Sequence, residues 1–216
     1  SIKFVPKKEL IPAQKNAMFV VDFNKCTITT MGEHSQVTVY VPCAAKEAFS
    51  FCVDAKLTHK VISLMSENDV QFSYNEKKVT IKAGKSTTNI PCDTMPENFP
   101  TMPTGTMEYE MNIADAEFKK ALRGVAPFVS ETENTNISLL NISLIDDRIT
   151  FQGSRQGCMS RVAVRPSAVT NWGEVNIYPE EANAIASLLG DTGEVTVTAG
   201  EQKLVVFKNS ENVMSS

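Results

Sequence analysis

The chain has 216 residues, of which 42% are apolar and 21% charged, with a formal net charge of −4. These proportions are typical of a soluble globular protein, and the length suits one large domain or two of about 100 residues each. No run of 18 apolar residues occurs, which argues against a membrane-spanning helix. Residues 1–103 carry 12 Lys and Arg against 10 Asp and Glu, and residues 104–216 carry 9 against 15. A basic surface on an acidic body is compatible with that distribution.

The first half is dominated by predicted strands. A 3.6-residue apolar period predicts a helix over residues 44–57, with Phe49 and Cys52 on its buried face. Residues 7–10 predict only a short helical turn, because Pro12 stops it early. Alternating apolar residues predict strands, joined by short turns, over residues 18–30, 36–41 and 70–90.

Residues 79–103 form the predicted seam of the chain. The sequence V-T-I-K-A-G-K-S-T-T-N-I predicts a β-hairpin with its turn at A-G-K-S. The next thirteen residues, P-C-D-T-M-P-E-N-F-P-T-M-P, contain four prolines, so they can be neither helix nor central strand. We therefore predict two domains, residues 1–103 and 104–216.

The second half repeats this order of elements. A helix is predicted from Asp115 to about Ala126, and another from Pro179 until Gly190 ends it. Asp146-Asp147 predicts a turn between two strands. The remaining predicted strands lie at residues 107–113, 137–151, 160–164, 175–178 and 195–207.

Matching segments in the two halves predict an internal repeat. D-F-N-K-C-T-I parallels I-D-D-R-I-T-F, and V-Y-V-P parallels N-I-Y-P, each followed by a predicted helix. Both halves then end in strands, V-T-I-K-A-G and V-T-V-T-A-G. Two copies of one α+β unit are therefore expected, with antiparallel sheets and helices packed on one face.

The sequence lacks the common catalytic and cofactor motifs. A-G-K-S-T resembles the end of a phosphate-binding loop, but Val79 stands where that loop needs a glycine. The adjacent carboxylates fit a turn and the first turn of a helix. The histidines lie near no metal-ligand cluster, so no cofactor or metal is expected. Five scattered cysteines without a Cys-x-x-Cys pair indicate reduced thiols and hence a cytoplasmic protein. We predict a non-catalytic protein, with a hydrolase on an α+β scaffold as a remote alternative.

A basic helix face is the strongest functional signal. In the segment D-A-E-F-K-K-A-L-R-G-V-A, three apolar residues at helical spacing face the sheet, while Lys119 and Arg123 lie one turn apart beside Lys120. Lys46 and Lys56 lie on the predicted helix of the first half. Such a face binds phosphates without reading bases. An ordinary solvated helix face is the alternative.

The seam and the repeated segments resemble the bacterial DNA polymerase III beta sliding clamp family. In that family a Gly-Lys-Ser turn leads into a proline-rich connector like M-P-E-N-F-P, and the likeness runs along nearly the whole chain. It implies a DNA-clamp fold and a replication processivity factor that encircles double-stranded DNA without sequence specificity. It also implies that the candidate pore residues are Lys119, Lys120, Arg123, Lys46 and Lys56.

The resemblance further implies a cleft that binds peptides of the DNA polymerase and the clamp loader. Leu140, Ser154 and Met159 match cleft positions, but the surrounding loop S-R-Q-G-C-M-S departs from the family pattern. The first helix is shortened and a third family domain is absent, so a six-domain ring implies a homo-oligomer, a trimer. The alternative is a clamp-derived protein-interaction module that does not encircle DNA.

Overall fold

The structure is a computed structural model, which describes residues 12–32, 35–65, 69–101, 106–129, 139–155, 157–200, 205–209 and 212–215. The chain divides into two compact units, Ser1–Met102 and Pro103–Ser216. The predicted helical turn at residues 7–10 lies outside the described residues, and a 3₁₀ turn follows at Pro12–Lys15.

The first unit contains two antiparallel sheets and one helix. One sheet has the strand order β3-β2-β1-β4, and the other has the order β5-β6-β7. A 3₁₀ turn at Pro96–Asn98 follows the second sheet. The elements are β1 Asn16–Val21, β2 Lys25–Met31, β3 Gln36–Pro42, β4 Phe49–Asp54, α1 Ala55–Ser63, β5 Gln71–Asn75, β6 Lys78–Ala83 and β7 Ser86–Pro91.

The core of the first unit is built by strand alternation. Phe19 on β1 and Phe51 on β4 are opposite each other in the ladder, and their rings stack with centroids 4.8 Å apart. Val79, Ile81 and Ile90 of the second sheet are fully buried in the same apolar cluster. The cluster also includes Ala55 at the start of α1, so both sheets and the helix share one core.

The predicted helix over residues 44–57 is wrong for most of its length. Phe49, Phe51 and Val53 alternate with a period of two, and β4 pairs with β1 so that Phe51 and Val53 become buried. The helix begins only at Ala55, where the Asp54 carboxylate accepts a hydrogen bond of 2.7 Å from the Leu57 amide. That contact is an N-cap, which fixes the start of α1.

The predicted hairpin at A-G-K-S is confirmed. Ala83 pairs with Ser86, so Gly84 and Lys85 form a two-residue turn between β6 and β7. Gly84 has a φ of 55°, a conformation that glycine adopts without steric cost. This segment is therefore part of a sheet and not a phosphate-binding loop.

The second unit also contains two antiparallel sheets, with strand orders β11-β10-β9-β13 and β12-β8-β14-β15-β16. The short strand β12 and the strand β16 were not predicted. The elements are β8 Met107–Ala114, α2 Asp115–Val125, β9 Leu140–Ile145, β10 Arg148–Arg155, β11 Cys158–Val164, β12 Ala168–Thr170, β13 Glu174–Ile177, α3 Pro179–Leu188, β14 Glu194–Gly200, β15 Val205–Lys208 and β16 Asn212–Ser215.

One sheet of each unit has the same topology. In each, the first three strands of one sheet are consecutive in the chain and the fourth strand pairs with the first, giving β3-β2-β1-β4 and β11-β10-β9-β13. A helix follows the fourth strand in both units, α1 in the first and α3 in the second. The predicted α+β architecture of repeated antiparallel sheets is therefore confirmed.

Helix α2 packs closely on the sheet of β10 and β11. Phe118, Leu122 and Val125 are fully buried, and the Phe118 ring meets Phe151 of β10 edge-on at 5.3 Å between centroids. Gly153 makes this approach possible, because a Cβ atom there would lie 2.9 Å from Cγ1 of Val125 and 2.8 Å from Cγ2 of the buried Val129. Real Cβ atoms essentially never make contacts this short, so the atoms around Val125 and Val129 would have to shift.

We expect Gly153→Ala to destabilise the protein by about 1–3 kcal/mol through overpacking. Urea unfolding followed by circular dichroism measures the change in the free energy of unfolding. The matched control is Gly124→Ala in α2, where the nearest atom to a new Cβ is 3.4 Å away. That variant should be as stable as the parent or up to about 1 kcal/mol more stable, because alanine favours helix over glycine. Equal stability of both variants would contradict the proposed close packing.

Candidate nucleic-acid interface

Helix α2 presents one charged face to solvent. The buried residues of its apolar stripe lie toward the sheet, while Glu117, Lys120, Arg123 and Gly124 are exposed. Acidic residues occupy the first turn and Arg123 the last turn, which is the distribution that the helix dipole favours. Lys120 and Arg123 are three residues apart and therefore neighbours on the helix surface.

Lys119 is engaged in an ion pair. Its Nζ donates a hydrogen bond of 2.9 Å to Oδ1 of Asp191, in the loop after α3. The hydrogen bond from Lys119 is the main reason that the pKa of Asp191 is lowered; the charge of Lys119 and, more weakly, that of Arg123 add to it. The effect of Arg123 shows that both cations act on one carboxylate. Lys119, Lys120 and Arg123 are called the α2 basic cluster below.

The predicted basic residues of the first unit lie on different elements. Lys56 is exposed in the first turn of α1, which contains no Asp or Glu. Lys46 is exposed in the loop between β3 and β4, because the predicted helix does not form there. Helix α3 contains no Lys or Arg at all. In the second unit, the basic helix surface is therefore that of α2.

The three predicted cleft residues are not all on one face. Ser154 and Met159 pair directly across β10 and β11, and the Met159 side chain is 70% exposed. Leu140 is fully buried and pairs with Ile177 of β13. Since Asn141 pairs with Gln152, Leu140 lies opposite Gly153 and faces the α2 side of the sheet, whereas Ser154 faces the other side. The structure thus brings together Ser154 and Met159 but not Leu140.

Solved structures of bacterial replication clamps match the chain along its whole length. A sliding clamp, DNA polymerase III subunit beta, from Pseudomonas aeruginosa matches with a TM-score of 0.88 and 16% identity, over 100% of this chain and 59% of that one. A DNA polymerase sliding clamp from Bacillus subtilis gives a TM-score of 0.88 at 15% identity, over 99% and 59% of the two chains. The chain has the sliding-clamp fold.

A third structure with the sliding-clamp fold is the Helicobacter pylori beta clamp bound to a DNA ligase peptide. It matches with a TM-score of 0.83 and 13% identity, over 99% of this chain and 61% of that one. The chain therefore spans about three fifths of the length of the clamps that it matches. No protein-family model and no curated protein matches its sequence.

Sequence reasoning missed two contacts around α2 of this clamp fold. One is the ion pair with Asp191, which is 72 positions away from Lys119. The other is the hydrogen bond of 2.9 Å that Ser160 Oγ on β11 donates to the Gly124 carbonyl. G-D-T-G after a helix indicates a turn, but no local pattern identifies the partner of its aspartate. The sequence patterns predict only that the loop containing Asp191 follows α3.

The Cys26 and Cys52 thiols are poorly reactive. Burial is the main cause that raises the pKa of Cys26 and of Cys52 to about 11, with smaller effects from Cys43 and Cys92 respectively. These thiols remain protonated at neutral pH, so they are weak nucleophiles. Among the described residues, no three His, Cys, Asp or Glu side chains converge as metal ligands. No described helix is long and apolar enough to cross a membrane.

We expect Lys119→Gln to raise the pKa of Asp191 toward its ordinary value, because the variant loses the ammonium hydrogen bond and the charge that stabilise the carboxylate. Carboxyl ¹³C NMR titration of the folded protein measures this directly. Since the folded-state pKa is lowered, the ion pair is intact above that pKa and is lost as the pH falls through it. Arg123→Gln should have a smaller effect. An unchanged Asp191 pKa in Lys119→Gln would contradict the ion pair.

Proposed function

We propose that the chain is a non-catalytic, clamp-type processivity factor that encircles duplex DNA and tethers replication proteins to it. The observation that carries this proposal is the α2 basic cluster on a sliding-clamp fold. The fold comes from the structural matches, and the cluster provides a DNA-contacting surface of the required charge. Lys56 and Lys46 are the further candidate DNA contacts in the first unit.

The geometry of the α2 basic cluster suits phosphate oxygens. Lys119 already donates a hydrogen bond to the Asp191 carboxylate, on which the charge of Arg123 also acts weakly, and a phosphate carries the same kind of charged acceptor. Lys120 is exposed beside them. Contacts of this kind carry no base information, so they allow the protein to move along DNA.

The assembly and the peptide partners belong to the same proposal. A closed ring requires more than two clamp-type units, so we propose a homo-oligomer. Ser154 and Met159 are proposed to contact linear peptides of a DNA polymerase or clamp loader from their shared face of the sheet. Leu140 contributes to that surface only through the packing beneath it.

The alternative function is a clamp-derived interaction module that does not encircle DNA. The acidic balance of residues 104–216, 9 basic against 15 acidic, favours it. The Lys119–Asp191 ion pair favours it too, because it partly neutralises the α2 basic cluster. A module of this kind gains no retention from a closed DNA circle, whereas a ring does.

We expect the variant Lys119→Glu, Lys120→Glu, Arg123→Glu to lose retention on nicked circular DNA at least about tenfold, because three phosphate contacts become repulsive. Gel filtration of the protein bound to circular and to linearised DNA measures retention. The matched control is Arg148→Glu, Arg161→Glu, Arg165→Glu, which makes the same change in charge at three exposed arginines of the same unit. Unchanged retention, or an equal loss in the control, would remove the α2 basic cluster from the interface. Equal retention of the parent on circles and linear DNA would favour the interaction module.

We expect Asp191→Asn to strengthen DNA binding and to steepen the slope of log K against log salt by about 1, because Lys119 then gives up a salt counterion, and not the Asp191 carboxylate, when it contacts a phosphate. Fluorescence anisotropy with a labelled duplex at several salt concentrations measures both quantities. Asp147→Asn at the exposed β9–β10 turn changes the net charge equally and is the control. Equal strengthening in both variants would assign the effect to net charge alone.

A further inference from the structure

The β10–β11 hairpin is an arginine-rich segment of an otherwise acidic unit. Residues 104–216 carry 9 Lys and Arg against 15 Asp and Glu, and four of those nine lie within residues 148–165, which contain no Asp or Glu. All four are arginines: Arg148, Arg155, Arg161 and Arg165. The α2 basic cluster belongs to a different element. The hairpin therefore has a charge of its own that the proposed DNA contact does not use.

The two faces of β11 have different surroundings. On one face, Ser160 Oγ donates a hydrogen bond of 2.9 Å to the Gly124 carbonyl of α2, and the Val162 side chain would be 3.4 Å from a Cβ atom at Gly124. Because side chains alternate along a strand, Met159 and Arg161 lie on the other face, away from α2. Both are exposed, Met159 to 70%. This face thus presents a large apolar side chain beside a guanidinium.

Ladder pairing adds two polar side chains to the same face. Met159 pairs with Ser154 and Arg161 pairs with Gln152, and side chains of directly paired residues lie on the same side of the sheet. Ser154 and Gln152 are half-buried. Met159, Ser154, Arg161 and Gln152 are called the β11 outer face below. It combines one apolar surface, one cation and two hydrogen-bonding groups.

Arg161 is the arginine best placed for a ligand. Within the described part of the chain, its guanidinium has neither an ion pair nor a hydrogen bond. Arg148, in contrast, directly follows the two aspartates of the β9–β10 turn. Glu174 of β13 lies on the same side of the sheet, but two strands separate it from β11, and its carboxylate accepts a hydrogen bond of 2.7 Å from Asn141. Arg161 is therefore available to a carboxylate from another molecule.

We propose that the β11 outer face binds an extended, acidic peptide segment of a partner protein, with an apolar side chain on Met159 and a carboxylate on Arg161. Every second side chain of an extended peptide lies on one face, about 7 Å apart, which is also the spacing of Met159 and Arg161 along β11. An apolar residue and an Asp or Glu two positions from it therefore contact both side chains at once. Arginine suits this role, because its planar fork binds a carboxylate through two hydrogen bonds.

This inference rests on the proposed peptide contact at Ser154 and Met159, and it adds the chemistry of the peptide. The absence of Asp and Glu from residues 148–165 favours an acidic partner by charge complementarity. A DNA duplex is less suitable, because non-specific binding needs several phosphate contacts and this face provides one guanidinium. A phosphate backbone also gains nothing from contact with the Met159 side chain.

A synthetic peptide of the proposed pattern is the probe. Its sequence is G-T-L-T-D-T-D-T-G, in which the threonines favour an extended conformation and the leucine lies two positions from the first aspartate. We expect the fluorescein-labelled peptide to bind the full chain in an anisotropy titration at low ionic strength. One matched peptide has asparagine in place of both aspartates, and a second has serine in place of leucine. Each should bind at least about threefold more weakly.

Variants of the protein assign each contact. Arg161→Gln should weaken binding of the aspartate peptide at least about threefold and leave binding of the asparagine peptide unchanged, because the carboxylate that Arg161 contacts is already absent from it. Met159→Ser should behave in the same way with the leucine and serine peptides. Both side chains are exposed, so both variants should fold normally. Lys208→Gln on β15 removes another exposed charge of the same unit and should bind as the parent does.

Three results would overturn the proposal. The first is an absence of binding to the aspartate peptide. The second is an equal loss in Arg161→Gln for the aspartate and asparagine peptides, because Arg161 would then make no contact with the carboxylate. The third is a loss of duplex DNA binding in Arg161→Gln as large as the loss of peptide binding, which would make nucleic acid the occupant. Retention on circular DNA is measured without peptide, so failure of the clamp function and failure of this inference are distinguishable.

Discussion

The close approach of α2 to β10 at Gly153 is the constraint on which the second unit depends. A side chain at this position would collide with Val125 and Val129, so the helix can lie flat on the sheet only because none is present. With the helix in this position, its period determines both which residues are buried against the sheet and which face solvent. The period that places Phe118 and Leu122 in the core also places Lys120 and Arg123 on the solvent side of the helix. The charge of the candidate interface is therefore a consequence of the same periodicity that stabilises the core.

Much of the fold could be predicted because its turns are local. Asp146 and Asp147 have φ angles of 51° and 58°, and aspartate is among the few residues that tolerate this conformation. Hairpins with such turns leave little freedom in strand order. The prediction for residues 44–57 was wrong because their apolar residues fit a helix period and a strand period equally well. Pairing of β4 with the edge of β1 selects the strand. This pairing is a tertiary contact, which the local sequence does not predict.

The candidate site also has features that local spacing predicts and features that only tertiary packing determines. The proximity of Lys119, Lys120 and Arg123 follows from helix spacing alone, so the sequence predicts it. The partner of Lys119 comes from a loop 72 positions away, which only the tertiary packing of α2 and α3 brings near. Register has a comparable effect on Leu140, since a shift of one residue along β9 exchanges the two faces of the sheet. Its burial beneath α2 thus depends on ladder pairing and not on its motif.

The ion pair between Lys119 and Asp191 is compatible with a DNA-contacting role because it is weak. The Asp191 side chain is 90% exposed and that of Lys119 19%, so water and salt screen the pair from its carboxylate side and reduce its contribution to stability. Exchange of the carboxylate for a phosphate oxygen therefore costs little, and the carboxylate can return when the phosphate leaves. A duplex presents such phosphates at every step along its axis. Successive exchange of this kind requires contacts that form and break easily, which strongly bound, fully buried pairs do not provide.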